Sequence, residues 1–418
     1  MSGAQLDAVD TPRRAAPHRW RLAYLVSHPI QYQAPLLRLI AAQPDIDLTV
    51  FFQSEGALHG QLDPGFGQVV RWDVPLLDGY RHEFLPALGR RDVITAQRPL
   101  SYGIAGRLRR GRFDALWVHG YARAVNWQAM LAAKIAGLKV FVRDEATASS
   151  SERSLARRVA KHVFFRALAG MADGFLAVGS ANRSYYLAHG IAPSRIFLMP
   201  YCVDNDFFAA RCAMAAPSRE SLRAELGLEV GRPVILYAAK FEARKRPDDL
   251  LGAYERLAAA DPSRKLPYLL YVGDGELRSA LEAVVADKGL SSVRFVGFRN
   301  QTELPALYDL CDVFVLPSVN EPWGLAVNEA MAAGRAVIVT EQVGCAPDLV
   351  RPGVNGFTVP AGNVAALAEA LLGVLTSPER SCVMGAASRE IIARWSFRAD
   401  IDGLRGALGT TARPPDPS

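Results

Sequence analysis

The chain has 418 residues, which is enough for two ordinary α/β domains. Half of the residues are hydrophobic and 22% are charged, as in soluble globular proteins, and no apolar run approaches the roughly 20 residues that a membrane-spanning helix needs. The net charge of +6 would suit a nucleic-acid ligand, but the sequence contains no recognisable nucleic-acid module or aromatic platform, so we expect no nucleic-acid partner.

The two ends of the chain are predicted to be disordered tails, over residues 1–19 and 411–418. The N-terminal residues carry charges without a following apolar core, which argues against a secretory signal. The cysteines are scattered and show no metal or redox spacing: Cys202, Cys212, Cys311, Cys345 and Cys382. We therefore expect buried free thiols and a cytoplasmic location.

The first half of the chain alternates apolar runs with helical patterns. Strands are predicted over residues 22–27, 48–53, 115–119, 139–143, 174–178 and 196–199, and helices over 127–137 and 181–189. An irregular segment, 54–97, is rich in glycine, proline and aromatic residues, and either shapes a substrate cleft or covers the surface. This alternation predicts a doubly wound parallel-sheet domain over residues 20–205.

Residues 151–170 have the pattern of a basic amphipathic helix. Its apolar residues are Leu155, Val159, Phe164, Phe165 and Leu168, and its charged residues are Arg153, Arg157, Arg158, Lys161 and Arg166. Such a helix either lies on an anionic membrane surface or is an ordinary surface helix with one face toward the core. The sequence leaves both interpretations open, and peripheral binding to the inner face of the membrane gains support if the substrate is a lipid.

The second half begins a fresh α/β series. A linker with a short helix is predicted over residues 206–230, and strands over 233–239, 268–273, 293–297, 313–316 and 336–340. These strands predict a second doubly wound domain over residues 231–395, followed by a C-terminal helix over 396–410. Two such domains facing each other would leave a cleft with strand ends on both walls, which is a common ligand site.

The stretch 313–344 carries the strongest chemical signal. A buried strand leads into a polar loop that contains Glu321, and a helix over 324–333, which holds Glu329, ends at Gly334. The backbone N–H groups at the start of this helix, from Trp323 through Leu325, favour an anion such as phosphate. A carboxylate beside them suits sugar hydroxyl groups, so the stretch predicts a ligand that has both phosphate and hydroxyls.

Lys240 and Lys245 follow the first strand of the second domain. The chain has only seven lysines, and two of them fall within six residues at this strand end. Lysine is a compact charge that can neutralise a diphosphate. A solvated basic turn is the alternative, because Arg244 and Arg246 are interleaved with the two lysines.

Two turns later in the same domain are weaker candidates. Gly273 begins a Gly–Asp–Gly turn in which the backbone could approach a ligand, although Asp274 could simply cap a helix. The turn at Phe298 and Arg299 could hold a nucleobase, although packing is the better interpretation of the phenylalanine taken alone.

In the first domain, three strand ends carry polar side chains. His119 ends one predicted strand, Glu145 follows the next, and His28 lies in the loop after the first. Arg143 could keep the nearby acid charged, or could form a purely structural pair. We therefore take His119 and Glu145 as candidates for the first-domain side of a cleft.

Together these segments resemble the family-four glycosyltransferases of the GT-B fold, a retaining group that uses nucleotide sugars. The resemblance covers nearly the whole chain and is strongest over residues 180–375. It rests on the Glu321–Glu329 spacing, the segments EAMAAGRAVIVT, YVGDGELRSALE and VRFVGF, the Lys240/Lys245 segment, and PYCVDNDFF at the domain junction.

The resemblance implies a role for each candidate in the second domain. Glu321 would contact the donor sugar, Glu329 the ribose, and Lys240 with Lys245 the diphosphate and the leaving nucleotide. The donor site would also include backbone or side chains of Gly273, Phe298, Arg299, Gly324 and Leu325. It implies no metal and no cofactor besides the nucleotide-sugar substrate, because lysines and helix amides would supply the charge.

The chain departs from the family pattern in the first domain. Many members have a glycine pair in the first loop, where this chain has HPIQYQAP, and many have a histidine where Glu145 falls. His119 or Glu145 would then take the polar role beside the reacting carbon. In such retaining enzymes the leaving phosphate is thought to accept the acceptor's proton, so neither residue need be a true base.

The predicted function is transfer of a sugar, with retention, from a UDP- or GDP-sugar to a hydroxyl group. The acceptor would be a sugar, glycolipid or polysaccharide in cell-surface polysaccharide or lipopolysaccharide synthesis. A nucleotide-sugar epimerase, a GT-B phosphorylase and a non-catalytic GT-B subunit remain as alternatives.

Overall fold

The computed structural model describes residues 19–63, 65–89, 99–147, 155–260 and 265–410. Its N-terminal domain contains strands and helices in alternation, interrupted by short hairpins. The strands are β1 (Trp20–Val26), β2 (Ile46–Phe52), β3 (Gln61–Asp63), β4 (Gln68–Val70), β5 (Arg81–Phe84), β6 (Ala87–Leu88), β7 (Leu100–Ser101), β8 (Ala115–His119), β9 (Lys139–Arg143), β10 (Gly174–Ala177) and β11 (Ile196–Leu198). The helices are α1 (Ala34–Ala41), α2 (Ile104–Gly111), α3 (Ala124–Ile135), α4 (Leu155–Met171) and α5 (Ser180–Ala188).

The N-terminal sheet is parallel, with the order β11-β10-β9-β8-β1-β2-β5. Its central strands are continuous apolar runs, as expected for strands that are buried on both faces. The strand order reverses between β1 and β8, so the loops after these two strands open a crevice at the carboxyl edge of the sheet. The antiparallel hairpin β3–β4 lies within the segment predicted as irregular, and β6 in that segment pairs antiparallel with β7, which lies just beyond it.

The C-terminal domain repeats this architecture. Its helices are α6 (Asn205–Ala215), α7 (Arg219–Glu225), α8 (Pro247–Ala260), α9 (Arg278–Asp287), α10 (Leu304–Leu310), α11 (Leu325–Ala332), α12 (Ala346–Leu349), α13 (Val364–Val374) and α14 (Pro378–Ile392). Its strands are β12 (Val234–Ala238), β13 (Tyr268–Val272), β14 (Val293–Gly297), β15 (Val313–Leu316), β16 (Ala336–Thr340) and β17 (Gly356–Val359). They form a parallel sheet of order β14-β13-β12-β15-β16-β17, which reverses between β12 and β15.

The last helix, α15 (Phe397–Thr410), crosses back to the N-terminal domain. Its apolar side chains, including Ile401 and Leu404, pack into the core beneath β1 and β2. Asp400, on the same helix, is fully buried there. The chain's C-terminal helix therefore belongs structurally to the first domain.

The structure departs from the sequence predictions in several places, and the edge strand β17 of the C-terminal sheet was not predicted. The segment predicted as a linker with one short helix holds α6 and α7, and Phe208 and Cys212 of α6 are buried in the core of the C-terminal domain. The edge strand β5 was missed, because its four residues, RHEF, have no apolar run. Cys382 is exposed, whereas the other four cysteines are buried free thiols as expected.

Other predictions lie partly outside the described residues. The tails at 1–18 and 411–418 do so entirely, and so does Arg153 of the basic helix. In α4, Phe165 and Leu168 face the core, while Val159 and Val163 are exposed. Across the part of the chain that the structure describes, no helix combines the length and apolar character needed to cross a bilayer.

Candidate functional site

The candidate residues gather at the crevices of the two sheets. His119 ends β8 and His28 follows β1, at the reversal point of the N-terminal sheet. Lys240 and Lys245 follow β12 and Glu321 follows β15, at the reversal point of the C-terminal sheet. Open α/β sheets bind ligands at these points, and here the interdomain contacts described below connect the two crevices.

The loop that carries Glu321 is held in place by backbone hydrogen bonds. The Glu321 N–H donates to the carbonyl of Gln342 at 3.0 Å, and the Gly344 N–H donates to the Glu321 carbonyl at 2.9 Å. A further bond, 2.8 Å from the Val319 N–H to the Arg244 carbonyl, ties this loop to the loop after β12. These bonds fix the position of Glu321 relative to the cationic residues after β12.

The Glu321 side chain is nearly buried and is surrounded by positive charge. Its Oε2 accepts hydrogen bonds from Lys245 Nζ and, at 3.2 Å, from Arg244 Nη1. The predicted grouping of Glu321 with Lys245 is therefore present, and Arg244 joins it. The cluster combines an acceptor for hydroxyl groups with two cations that can face phosphate oxygens.

The helix after this loop, α11, begins at a glycine that sterically cannot be replaced. Gly324 has φ +98°, and a Cβ at this position would lie 2.9 Å from Val343 Cγ1 and 3.1 Å from Leu316 Cδ2. Glycine is therefore required for both its conformation and its close packing. Leu325 is the first residue of the helix, one residue later than predicted, at the end of the sheet where anions bind to helix N-termini.

Glu329 lies in α11, more than one helical turn beyond Gly324 and away from Lys240 and Lys245. It is nearly buried, and its Oε2 accepts a 2.8 Å hydrogen bond from the Tyr308 hydroxyl. Burial raises the pKa of Glu329 to about 7, although the bonds from Tyr308 and Gln301 oppose the rise. The carboxyl borders a cavity of about 120 Å³ whose lining also includes Tyr32 and Asp204.

Lys240 is separated from Lys245 in this structure. Its Nζ pairs with both carboxylate oxygens of Asp63, at 2.7 and 2.9 Å, and lies 4.9 Å from the ring centre of Phe66. Both partners belong to the N-terminal domain, near the turn of the β3–β4 hairpin. The two lysines that were predicted to act together therefore have different acidic partners.

The two weaker candidate turns lie beside this hairpin. A Cβ on Gly273 would lie 2.1 Å from the Ala239 carbonyl oxygen, so a glycine is required here by the close approach of two backbones. Asp274 pairs with Arg278 at 2.8 Å rather than capping the helix, whose N-cap is Leu277. Phe298 packs edge-to-face on Phe66, with ring centres 4.9 Å apart.

Arg299, beside Phe298, pairs with Glu303 at 3.4 Å on the same turn. The structure thus places the Phe298 turn at the domain boundary and leaves the predicted contact with a nucleobase as a prediction.

Across the cleft, His119 is enclosed by polar side chains. Its Nδ1 is 3.1 Å from the Tyr24 hydroxyl, and its Nε2 is 3.5 Å from the Tyr201 hydroxyl and 4.0 Å from Glu145 Oε1. Burial, and to a lesser extent the charge of Arg143, lowers the pKa of His119 to about 3. The imidazole is therefore neutral at physiological pH and can accept or donate a hydrogen bond.

Glu145 is held beside His119 by Tyr201, whose hydroxyl donates to Glu145 Oε1. Burial raises the pKa of Glu145, the bond from Tyr201 opposes this rise, and the negative charge of Glu321 across the cleft adds to it. The candidate acids of the two domains are thus close enough to influence each other. Tyr201 was missed in the sequence, because nothing in its local pattern separates it from a core tyrosine.

Of the two interpretations of Arg143, the structural pair is present, although with a distant acid, and the charge of Arg143 also opposes the rise in the pKa of Glu145. Its guanidinium pairs with Asp400 of α15 at 2.9 Å and lies 4.7 Å from the ring centre of Tyr201. Both ends of this ion pair are fully buried. Arg143 is a structural support beneath Tyr201, and its partner lies 257 residues away in the chain.

A second contact joins Tyr201 to the C-terminal domain. Asn328 of α11 donates to the Tyr201 carbonyl at 3.2 Å and accepts from Trp323 Nε1 at 2.9 Å. Helix α11, which carries Glu329, is therefore bonded directly to the residue that holds Glu145. Among the described residues, no cluster of three or more histidine, cysteine, aspartate or glutamate side chains could hold a metal ion.

The fold and the similarity to known proteins indicate the class of protein. Residues 218–391 match the model of the family described as glycosyl transferases group 1. This match lies within the C-terminal domain, and the two facing parallel-sheet domains have the GT-B fold, so the resemblance to glycosyltransferases and the fold predicted from the sequence are confirmed.

Relatives with similar sequences are named glycosyltransferases. A D-inositol 3-phosphate glycosyltransferase of Nocardia farcinica is 27% identical over 384 residues, which cover 90% of this chain and 76% of the relative. A 2-deoxystreptamine glucosyltransferase of Streptomyces kanamyceticus is 36% identical over 53% of this chain and 54% of its own length. The match to the D-inositol 3-phosphate glycosyltransferase of Saccharomonospora viridis, at 32% identity, spans 45% of each chain.

Solved structures share the fold over nearly the whole chain. Anabaena HepE, determined in complex with UDP, superimposes with a TM-score of 0.69 at 17% identity and covers 94% of this chain and all of its own. A glycosyltransferase from Rickettsia africae gives a TM-score of 0.68 at 15% identity, with the same coverage.

Proposed function

We propose that this protein transfers a sugar from a nucleotide-diphosphate sugar to a hydroxyl group of an acceptor, with retention of configuration at the anomeric carbon. The observation that carries the proposal is the cluster of Glu321, Lys245 and Arg244 at the reversal point of the C-terminal sheet. A diphosphate needs cations, and a sugar needs a hydrogen-bond acceptor next to them. This cluster supplies both.

In this proposal, Lys245 and Arg244 neutralise the diphosphate as its bond to the sugar breaks. Interactions that strengthen as charge develops on the leaving oxygen lower the barrier to reaction. The start of α11 adds backbone amides at Gly324 and Leu325. Glu321 orients the sugar through its hydroxyl groups, and Glu329, once ionised, accepts hydrogen bonds from the ribose.

The N-terminal domain would contribute the polar face next to the reacting carbon. His119 is neutral and Glu145 is held by Tyr201, so both can orient hydroxyl groups of the donor sugar or of the acceptor. The leaving phosphate would receive the acceptor's proton, which is consistent with a histidine that does not charge near neutral pH. The cations of the site perform the role for which a metal would otherwise be needed, so we propose that transfer requires no metal ion and no cofactor.

For the nucleotide base of the donor and for the acceptor, we propose classes of molecule and not single compounds. Anabaena HepE was determined with UDP bound, which supports a UDP-sugar as the first donor to test, with a GDP-sugar as the second. The relatives are named for inositol 3-phosphate and 2-deoxystreptamine, both of which are ring polyols. We propose a hydroxyl acceptor on a sugar, glycolipid or polysaccharide of the cell surface, and the acceptor panel should include such ring polyols.

A membrane role would follow if the acceptor is a lipid. The exposed Val159 and Val163 lie on one face of α4, a helix that could rest on an anionic bilayer surface. Co-sedimentation with vesicles that contain anionic phospholipid, compared with neutral vesicles, tests this proposal. Equal binding to both would contradict it.

The function is tested by transfer assays with UDP-, GDP- and ADP-sugars, after a thermal-shift screen for the donor that stabilises the fold. Glu321→Ala and Lys245→Ala should each lower turnover by about 100-fold to 1,000-fold, as expected when a charged group is removed from the reacting centre. Lys288→Ala is a matched control, because Lys288 forms an exposed ion pair with Glu255 on the surface.

The alternatives predict different products. An epimerase would change the donor without an acceptor, and a phosphorylase would consume or release inorganic phosphate. Wild-type turnover in folded Glu321→Ala and Lys245→Ala variants would reject the assigned site, and failure of every nucleotide sugar to bind would favour a non-catalytic subunit.

A further inference from the structure

The β3–β4 hairpin of the N-terminal domain reaches across the cleft to the donor side. It carries Asp63 at the end of β3 and Phe66 in the turn, and it returns through β4. The segment after the hairpin also contacts the C-terminal domain, because the Asn300 side chain donates a hydrogen bond to the Arg71 carbonyl at 2.7 Å. Asp73 accepts hydrogen bonds from the backbone N–H and the hydroxyl of Thr302.

The hairpin places a negative charge on Lys240, a lysine that the family resemblance implies for the donor phosphates. Lys240 Nζ lies 2.7 and 2.9 Å from the two oxygens of Asp63, and both side chains are about 30% exposed, at 31% and 27%. A carboxylate that binds a lysine through both oxygens occupies the position that a phosphate oxygen would need. A donor diphosphate bound at Lys240 would have to share this ammonium group with Asp63 or displace it.

The rest of the hairpin turn also fits closely against the donor side. A Cβ on Gly65 would lie 2.5 Å from Lys240 Cδ, and a Cβ on Gly275 would lie 2.8 Å from the Gly65 carbonyl oxygen. Phe66 covers Phe298, the residue at which the base is expected, with ring centres 4.9 Å apart. The turn thus touches both the proposed phosphate position and the proposed base position.

We propose that this hairpin is an internal competitor of the donor, in which Asp63 occupies the phosphate position at Lys240 until a nucleotide diphosphate displaces it. The inference rests on the proposed function and extends it, because it adds Lys240, which the family resemblance implies as a diphosphate ligand, to the donor site formed by Lys245 and Arg244. It makes Asp63 a determinant of donor affinity that lies in the opposite domain from the donor site. Donor binding would then release Asp63 from Lys240 and free the turn of the hairpin.

The Asp63→Asn variant tests this proposal without removing the turn. Asp63 Oδ1 also accepts from the backbone N–H groups of Gly65 and Phe66, at 2.8 and 3.2 Å, and an asparagine oxygen can keep both bonds. The variant therefore loses the charge and keeps the local structure. Asp73→Asn is the control, since Asp73 binds Thr302 in the same interdomain segment and does not contact Lys240.

Calorimetric titration with UDP and with GDP measures the effect on the full-length protein. We expect Asp63→Asn to bind its preferred nucleotide about threefold to tenfold more tightly than the wild type, and Asp73→Asn to bind like the wild type. If the wild type binds the nucleotide and Asp63→Asn binds it no more tightly, the proposal that the hairpin competes with the donor is wrong, while the proposed function stands. Absence of binding to both proteins would instead overturn the proposed function.

Hydrogen exchange gives a second, independent readout. The backbone amides of residues 65–70 should exchange faster when the wild type is saturated with UDP or GDP, because the hairpin leaves Lys240. Slower exchange on saturation would mean that the hairpin closes over the nucleotide and would reject displacement.

Discussion

The two halves of the site are built in different ways. In the C-terminal domain, Glu321, Gly324 and Glu329 come from one continuous strand–loop–helix unit, and Lys245 comes from the loop beside it. In the N-terminal domain, the polar group of His119, Glu145 and Tyr201 comes from the ends of three separate elements. It is supported from below by Asp400, near the end of the chain.

This difference shows which half of the site a short stretch of sequence is sufficient to predict. A loop and a helix N-terminus create an anion site wherever they occur, because the unpaired N–H groups belong to the backbone itself. A buried polar cluster forms only if every member finds its partner, so its geometry depends on the whole fold. We therefore expect the donor half of the site to tolerate substitutions elsewhere in the chain better than the half in the N-terminal domain does.

The largest expected effect comes from breaking the buried support of the N-terminal half. Asp400→Ala leaves the Arg143 guanidinium buried without its ion-pair partner, which should lower the free energy of unfolding by about 3–5 kcal/mol. Urea denaturation measures this loss. Asp402→Ala is the control, since its carboxylate is largely exposed on the same helix.

The double variant Arg143→Met with Asp400→Leu sharpens the same comparison. It removes both charges together and should recover much of the stability that Asp400→Ala loses, because neither charge then remains buried alone. If Asp400→Ala were as stable as the wild type, the N-terminal half would not depend on this long-range ion pair.

The next effect concerns Glu329 in the donor half and depends on pH. Its pKa is about 7 in the folded protein and near 4.5 when unfolded, so between these values the folded state holds a proton that the unfolded chain has lost. The free energy of unfolding should therefore fall by at most about 3 kcal/mol as pH rises from about 4.5 to about 7. Above that pH it should level off.

Glu329→Gln removes this titration and can still accept the hydrogen bond from Tyr308. The variant should be more stable than the wild type at pH 8, and the difference should shrink toward pH 4.5, as measured by thermal unfolding across that range. Glu369→Gln, on the exposed face of α13, is the control. A difference that is independent of pH would contradict the raised pKa.

The smallest expected effect is at Tyr201, which joins the two halves. Tyr201→Phe removes the hydrogen bond to Glu145 and leaves the ring in contact with Arg143 and Trp323. We expect a fall in kcat of about tenfold with little change in KM for the donor, because a lost hydrogen bond to a charged group costs about 1.5 kcal/mol. The pH profile of kcat should also move to higher pH, since the bond from Tyr201 holds down the pKa of Glu145.

Tyr254→Phe is the matched control for Tyr201→Phe. Its hydroxyl donates to the Pro267 carbonyl at 2.8 Å, far from the cleft, so it should change stability but not the pH profile. An unshifted profile in Tyr201→Phe would mean that Tyr201 supports the structure without positioning Glu145.

The sequence by itself determined much of the donor half and of the fold. The strands at Val313–Leu316 and Ala336–Thr340 and the helix between them were predicted to within a residue, because period, glycine placement and helix start signals are local. The pairing of Glu321 with Lys245 follows from neighbouring strands that end at one edge of a parallel sheet.

Only the tertiary structure decided the remaining contacts. Asp63 meets Lys240 across 177 residues, and Arg143 meets Asp400 across 257. Neither pair has a local pattern, because the residues come together only when the domains face each other and α15 returns to the first domain. Interactions of this kind depend on the final position of each backbone, which no short segment of sequence contains.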